Sequence, residues 1–185
     1  MSAGSTGGFR SSRQSTSERG GASHGIALDI GCGGHKQPET VGIDCRLLPG
    51  VDVVCDFEQG LPFRDGSVSM VHLVHVIEHI RDLLGFMVEL YRVCSGGATI
   101  LIQTPYYTSR EAFVDPTHIR FITEDTFKYF ESPNYYDLKC NFRTLSIDYH
   151  MRKPFKCLPA HFQKRARRYL WNACIQMDVR LEVMK

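Results

Sequence analysis

The sequence predicts an α/β fold built around a mostly parallel sheet. Three observations carry that expectation. Residues 26–34 (IALDIGCGG) read as a short buried strand that runs straight into glycines. Strand-length apolar runs then recur in the order strand, connection, strand, helix, strand. The run at 98–102 (ATILI) is apolar except for Thr99, which fits a strand covered on both faces.

The elements follow in order. Residues 1–25 hold almost nothing apolar, so they are expected to form a disordered tail ahead of a single domain at 26–185. After Gly34, residues 35–40 contain Pro38 and are too few for a crossover helix, so the first helix is shortened. Residues 40–44 (TVGID) are a second strand ending in an acid, and Pro49-Gly50 makes a turn. Residues 51–55 are a third strand, followed by Asp56-Phe57, and 68–74 a fourth, interrupted by His72. Apolar positions 80, 83, 84, 87, 90 and 91 form a helical stripe that Gly96-Gly97 ends. Residues 105–120 are an irregular, aromatic-rich insertion. Thr123, Glu124 and Asp125 look like the start of a helix that runs to about 131 and buries Phe127 and Phe130. A strand is expected at 142–151, a basic helix at 160–171 and an alternating strand at 174–184. The last strand pair closes the sheet.

Composition narrows the function. Of 185 residues, 43% are hydrophobic, enough for a substantial core, and the net charge is only +2. The charge is uneven: residues 152–168 carry seven basic side chains and no acidic one. Seven scattered cysteines (32, 45, 55, 94, 140, 157, 174) have no metal-ligand spacing and suggest buried thiols in a reducing compartment. No run is apolar and long enough to span a bilayer, and the N-terminus lacks a signal-peptide core. A cytoplasmic protein is expected. No carboxylate cluster has ligand spacing, so no metal is expected.

The first three strands each end in a feature suited to a ligand: the 31–34 glycine turn, Asp44 and Asp56. In an open parallel sheet, ligands bind along that edge. Glycines let backbone approach a ligand closely, although a tight turn needing positive φ would use them as well. A carboxylate can accept both hydroxyls of a ribose. Asp56 beside Phe57 suits an adenine amine and ring. Gly31 lies only 13 residues before Asp44, against roughly 20 in a dinucleotide site, so the site is adenosine-shaped instead.

With these residues in view, the chain resembles a class I S-adenosylmethionine-dependent methyltransferase of the methyltransferase type 11 kind. The resemblance is carried by LDIGCG (28–33), GID (42–44), CDFEQGLPF (55–63), VHVIEHI (74–80) and YRVCSGG (91–97). It implies a Rossmann-like, mostly parallel seven-stranded sheet with an antiparallel last strand, and S-adenosylmethionine as cofactor. The cofactor-binding set it implies is Asp29, Gly31, Cys32, Gly33, Asp44, Cys45, Asp56, Phe57, Val74 and His75. The sequence departs from the family at Ser69, where an Asp often begins the fourth strand, at His72, and in the short connection after Gly34.

The expected reaction is methyl transfer to an oxygen or nitrogen of a small molecule. A base helps when the acceptor is a hydroxyl, and histidine suits neutral pH. His118 and His79 are the candidates, with Asp115 orienting His118; either imidazole could instead be structural. His75, Glu78 and His79 also spell HxxEH, a zinc-protease string if helical, but the strand end at His75 argues against a shared helix face. Tyr106, Tyr107, Phe113 and Arg120 are candidate substrate contacts, or a satellite core. The basic segment 152–168 reads as a solvated face, with nucleic acid or an anionic membrane surface as the alternatives. RNA or protein methylation, or an inactive binding module, are the other readings of the whole chain.

Overall fold

The computed structural model describes residues 25–134 and 136–185. Apart from Gly25, the tail expected over residues 1–25 lies outside the described residues. The strands are β1 (Ile26–Ile30), β2 (Val41–Asp44), β3 (Val53–Val54), β4 (Val68–Val74), β5 (Cys94–Pro105), β6 (Phe142–Met151) and β7 (Cys174–Val183). They form one sheet in the order β3-β2-β1-β4-β5-β7-β6. β1 to β5 pair in parallel, and β7 runs antiparallel to both β5 and β6. This is the expected Rossmann-like sheet with an inserted antiparallel last strand. Its order reverses between β1 and β4, and such a reversal opens a crevice beyond the carboxyl ends of those strands.

The pairing register puts Leu28 beside Val71 and Ile30 beside Leu73. It puts Ile100 beside Leu181 and Ile102 beside Val179. All eight are buried and line one face of the sheet. Helix α1 (Leu83–Val93) covers that face with Phe86, Met87, Leu90 and Val93. Asp82 caps α1 by accepting from Gly85 N at 3.0 Å, and the Glu58 carboxylate accepts from Arg81 N at 2.8 Å just before it. Helix α2 (Glu111–Val114) is a single turn beyond the strand ends, and α3 (Ala160–Tyr169) lays Arg167 over the Tyr149 ring, 3.9 Å from its centroid.

The other face departs from the expectation of cover on both sides. His72, Val74, Gln103, Asp178 and Arg180 line an open depression of about 390 Å³ there, with Gln37 and other strand residues and no helix residue. One apolar strand was a poor witness: the neighbours of β5 on this face are polar.

Other boundaries moved as well. The helix ends at Val93, before Gly96-Gly97, which lie inside β5, where Gly97 takes φ +79°. The third strand shrinks to two residues. In place of the helix expected at 123–131 there is a 3₁₀ turn, Thr126–Phe130, which still buries Phe127 and Phe130.

Candidate active site

The crevice is shaped by how β1 ends. Gly31 and Gly33 have φ of +69° and +54°, a region that L side chains rarely occupy. A Cβ on Gly31 would lie 2.6 Å from Val76 Cγ2, so this glycine lets the backbone after β4 close in. A Cβ on Gly33 would meet nothing within 4 Å; the space before it is open. Gly33 N donates to Asp44 Oδ2 at 3.0 Å, and Arg46 N donates to Oδ1 at 2.9 Å. Burial works against ionisation of Asp44. The backbone donors of Arg46 and Gly33, with the Cys45 thiol and Arg46 charge, outweigh it and hold the carboxyl below its usual range.

A cavity of about 590 Å³ opens over these groups, within the roughly 300–1,000 Å³ usual for small-molecule sites. Its walls include Gly31, Asp44, Cys45, Asp56, Phe57, His75 and His79, with Asp115 and Thr117 at one side. The carboxylates of Asp44, Asp56, Glu58 and Asp115 face it against the single guanidinium of Arg46. Such a lining favours a ligand that carries positive charge and hydroxyls.

Six of the ten predicted cofactor residues therefore line the cavity: Gly31, Asp44, Cys45, Asp56, Phe57 and His75. The other four do not. Asp29 is buried and accepts from Gln37 N at 2.8 Å, which fixes the loop that replaces the first helix; burial pushes its carboxyl up. Cys32 is buried behind the turn with Sγ against Gly33 O, and Gly33 acts through its N–H to Asp44. Val74 points to the open sheet face. Sequence reasoning missed Arg46, Glu58, Val76, Ile80 and Thr117. Lying next to a predicted residue in sequence was the signal all five gave.

A second depression, of about 320 Å³, adjoins the first and shares His75, His79 and Asp115 with it. Pro105, Arg110, Glu111, Val114 and His118 complete it. Here the predicted substrate residues need correction. Tyr106 is fully buried, its hydroxyl donating to Glu124 at 2.7 Å. Tyr107 donates to Arg168 O, and Phe113 stacks on Phe121 with ring centroids 4.3 Å apart, beside Trp171. The Arg120 guanidinium binds the backbone carbonyls of Ile80 and Arg81. None of the four lines either depression.

The predicted catalytic residues do converge. The His79 and His118 rings lie 4.7 Å apart, edge to face. Asp115 does not orient His118: its carboxylate accepts from Thr117 N and Oγ1 at 2.8 and 2.6 Å, while His118 Nδ1 donates to Ala112 O at 3.1 Å. Glu78, noted in sequence only as part of HxxEH, is buried between His75 Nδ1 at 3.2 Å and Thr104 Oγ1 at 3.2 Å. The hydrogen bond to Glu78 raises the His75 pKa; burial opposes it.

A family model described as "Methyltransferase domain" matches residues 35–102. A structure of an S-adenosylmethionine-dependent methyltransferase from Archaeoglobus fulgidus superimposes with TM-score 0.62, over 85% of this chain and 86% of that one, at 17% identity. The chain is thus similar to a methyltransferase domain over residues 35–102 and has the fold of solved methyltransferases. The YcgJ protein of Bacillus subtilis shares this fold, with TM-score 0.60 over 87% of this chain and 92% of that one at 15% identity. In sequence, the chain is 37% identical over 81 residues to ajmaline N-methyltransferase of Rauvolfia serpentina, covering 40% of this chain and 28% of the relative. It is 32% identical over 81 residues to a probable S-adenosylmethionine-dependent methyltransferase of Mycobacterium tuberculosis, covering 42% and 30%. The chain thus spans less than a third of the length of these curated relatives.

This similarity implies S-adenosylmethionine as cofactor, and the donor set fits it. Asp44, held ionised at the end of β2, suits a diol; Asp56 beside the Phe57 ring suits an amine-bearing base; and the acidic lining suits a cationic chain.

Proposed function

We propose that this methyltransferase transfers a methyl group from S-adenosylmethionine to an oxygen or nitrogen of a polar small molecule. The observation that carries the reading is the acidic cavity at the ends of β1, β2 and β3, with the buried Asp44 carboxylate kept ionised in its wall. When bound, the cofactor supplies an electrophilic methyl on sulfonium.

Asp44 would hold the ribose hydroxyls, and Asp56 with Phe57 would hold the adenine. His75 would flank the sulfonium, at the junction of the two depressions. The acceptor would lie in the second depression, where Arg110, Glu111 and Asp115 favour polar groups. His79 and His118 would act on its nucleophilic atom: with Nδ1 engaged by a carbonyl, each imidazole keeps an Nε2 lone pair. Holding that atom in line with the methyl–sulfur bond is most of the catalytic task. No helix among the described residues is long and apolar enough to cross a membrane. The seven free cysteines favour a reducing, cytoplasmic setting.

The test is calorimetry with S-adenosylhomocysteine. Micromolar binding by the wild type and a loss of about tenfold or more in Asp44→Ala, the worth of one good charge-assisted hydrogen bond, support the reading. No binding by the wild type sinks it and favours an inactive binding module. A macromolecular acceptor is the second reading. It is favoured by α3 and the chain after it, where Lys164, Arg165 and Arg168 stand exposed with Phe162, Tyr169 and Trp171. Salt-dependent retention on RNA would support it.

A further inference from the structure

We propose that Glu78, His79 and His118 form a binding site for one divalent metal ion of the Zn²⁺ type, at the junction of the two depressions. Sequence spacing could not disclose it, because His118 lies 39 residues after His79. The fold brings them together. Ile119 N and Arg120 N both donate to the Glu78 carbonyl, at 3.0 and 3.2 Å, and the Arg120 guanidinium clamps the carbonyls of Ile80 and Arg81. The insertion after β5 is thereby stitched onto the turn after β4, and His118 comes to rest over it.

One donor atom from each of the three residues lies within 4.8 Å of the others. Tetrahedral metal bonds of about 2.0–2.2 Å put donors roughly 3.4 Å apart, so the side chains would close by up to about 1.4 Å on binding. Tautomer and orientation are already set. His79 Nδ1 faces Thr117 O at 3.3 Å and Thr117 Oγ1 at 3.0 Å, and His118 Nδ1 faces Ala112 O at 3.1 Å. A carbonyl only accepts, so Nδ1 carries the hydrogen in each ring and Nε2 offers its lone pair. This is how metal-binding imidazoles are commonly held from behind. The Glu78 carboxylate is braced likewise, by His75 and Thr104, in surroundings that leave it only 2% exposed. Two imidazoles and a carboxylate with a position left open is a donor set that suits zinc acting as a Lewis acid.

The role assigned to the ion deepens the methyltransferase reading and rests on it: with both Nε2 lone pairs on the ion, its open position, in place of the free imidazoles, would hold and polarise the acceptor atom beside the sulfonium. Binding itself does not depend on that reading, so the test separates the two. The full chain, stripped with chelator, is titrated with Zn²⁺ by calorimetry, and with Co²⁺ while visible absorption is followed. One ion per chain is expected, with affinity falling about 100-fold or more in His118→Gln and in His79→Gln, beyond what loss of an outer-shell partner costs. S-Adenosylhomocysteine affinity should be kept in His118→Gln, because His118 lies outside the cofactor cavity; that also verifies that the variant is folded. Absence of binding by the wild type overturns the site, and so does wild-type affinity in either variant, which would assign the ion to other groups. Zn²⁺ binding without S-adenosylhomocysteine binding would keep the site and remove the methyltransferase reading.

Discussion

Gly33 donates its backbone N–H to the Asp44 carboxylate across 3.0 Å. The glycine turn after β1 and the acid that ends β2 are therefore one unit. The turn presents the carboxylate to the cavity, and the carboxylate holds the turn in its left-handed geometry.

Acid should act on this unit in a definite order. The folded pKa of Asp44 is lowered, so its contribution to stability is complete above the ordinary carboxylate value of about 3.9. That contribution is lost as pH falls through the depressed folded value. The stability gap between wild type and Asp44→Asn, followed by urea melts, should be constant near neutrality and close in strong acid. A gap that widens on acidification would contradict this.

The two positive-φ glycines should differ under substitution. Gly31→Ala meets both the backbone strain, about 1–2 kcal/mol, and the clash with Val76. Gly33→Ala meets the strain alone. Thermal melts should rank Gly31→Ala the less stable of the two.

Alkylation should map the cavity. Cys45 and Cys157 are exposed, and only Cys45 lines the cavity. Burial of its sulfur and the neighbouring Asp44 charge push the Cys45 thiol up, so mildly alkaline buffer is needed. Peptide mapping should find Cys45 shielded by S-adenosylhomocysteine while Cys157 still reacts. Burial lifts Cys94 to about 12 and Cys140 and Cys174 to about 11, and these should stay unmodified while the fold is intact.

Leu90, on the sheet-facing side of α1, is fully buried. Leu90→Ala should cost about 2–5 kcal/mol, read as a lower denaturation midpoint with an unchanged slope.

The sequence made the frame legible where local chemistry is decisive. Alternation located β6 and β7, glycines marked the turn after β1, and an acid at a strand end pointed to Asp44. It failed where distance or direction decides. An aromatic-rich insertion reads the same whether its rings line a pocket or pack, and Tyr106 packs. The meeting of Glu78 with His118 is made by backbone hydrogen bonds that span some forty positions, and no local pattern encodes them. The polar side of the sheet was written in His72, Asp178 and Arg180, but β5 alone suggested the opposite.

That polar side has a consequence for how the molecule comes apart. Doubly wound sheets are sandwiched between helices on both faces, so damage to one layer leaves another in place. Here every strand leans on the same apolar seam beneath α1. Among the described residues there is no reserve: a flaw in that seam reaches the strands together, including those that lead to Asp44 and His75.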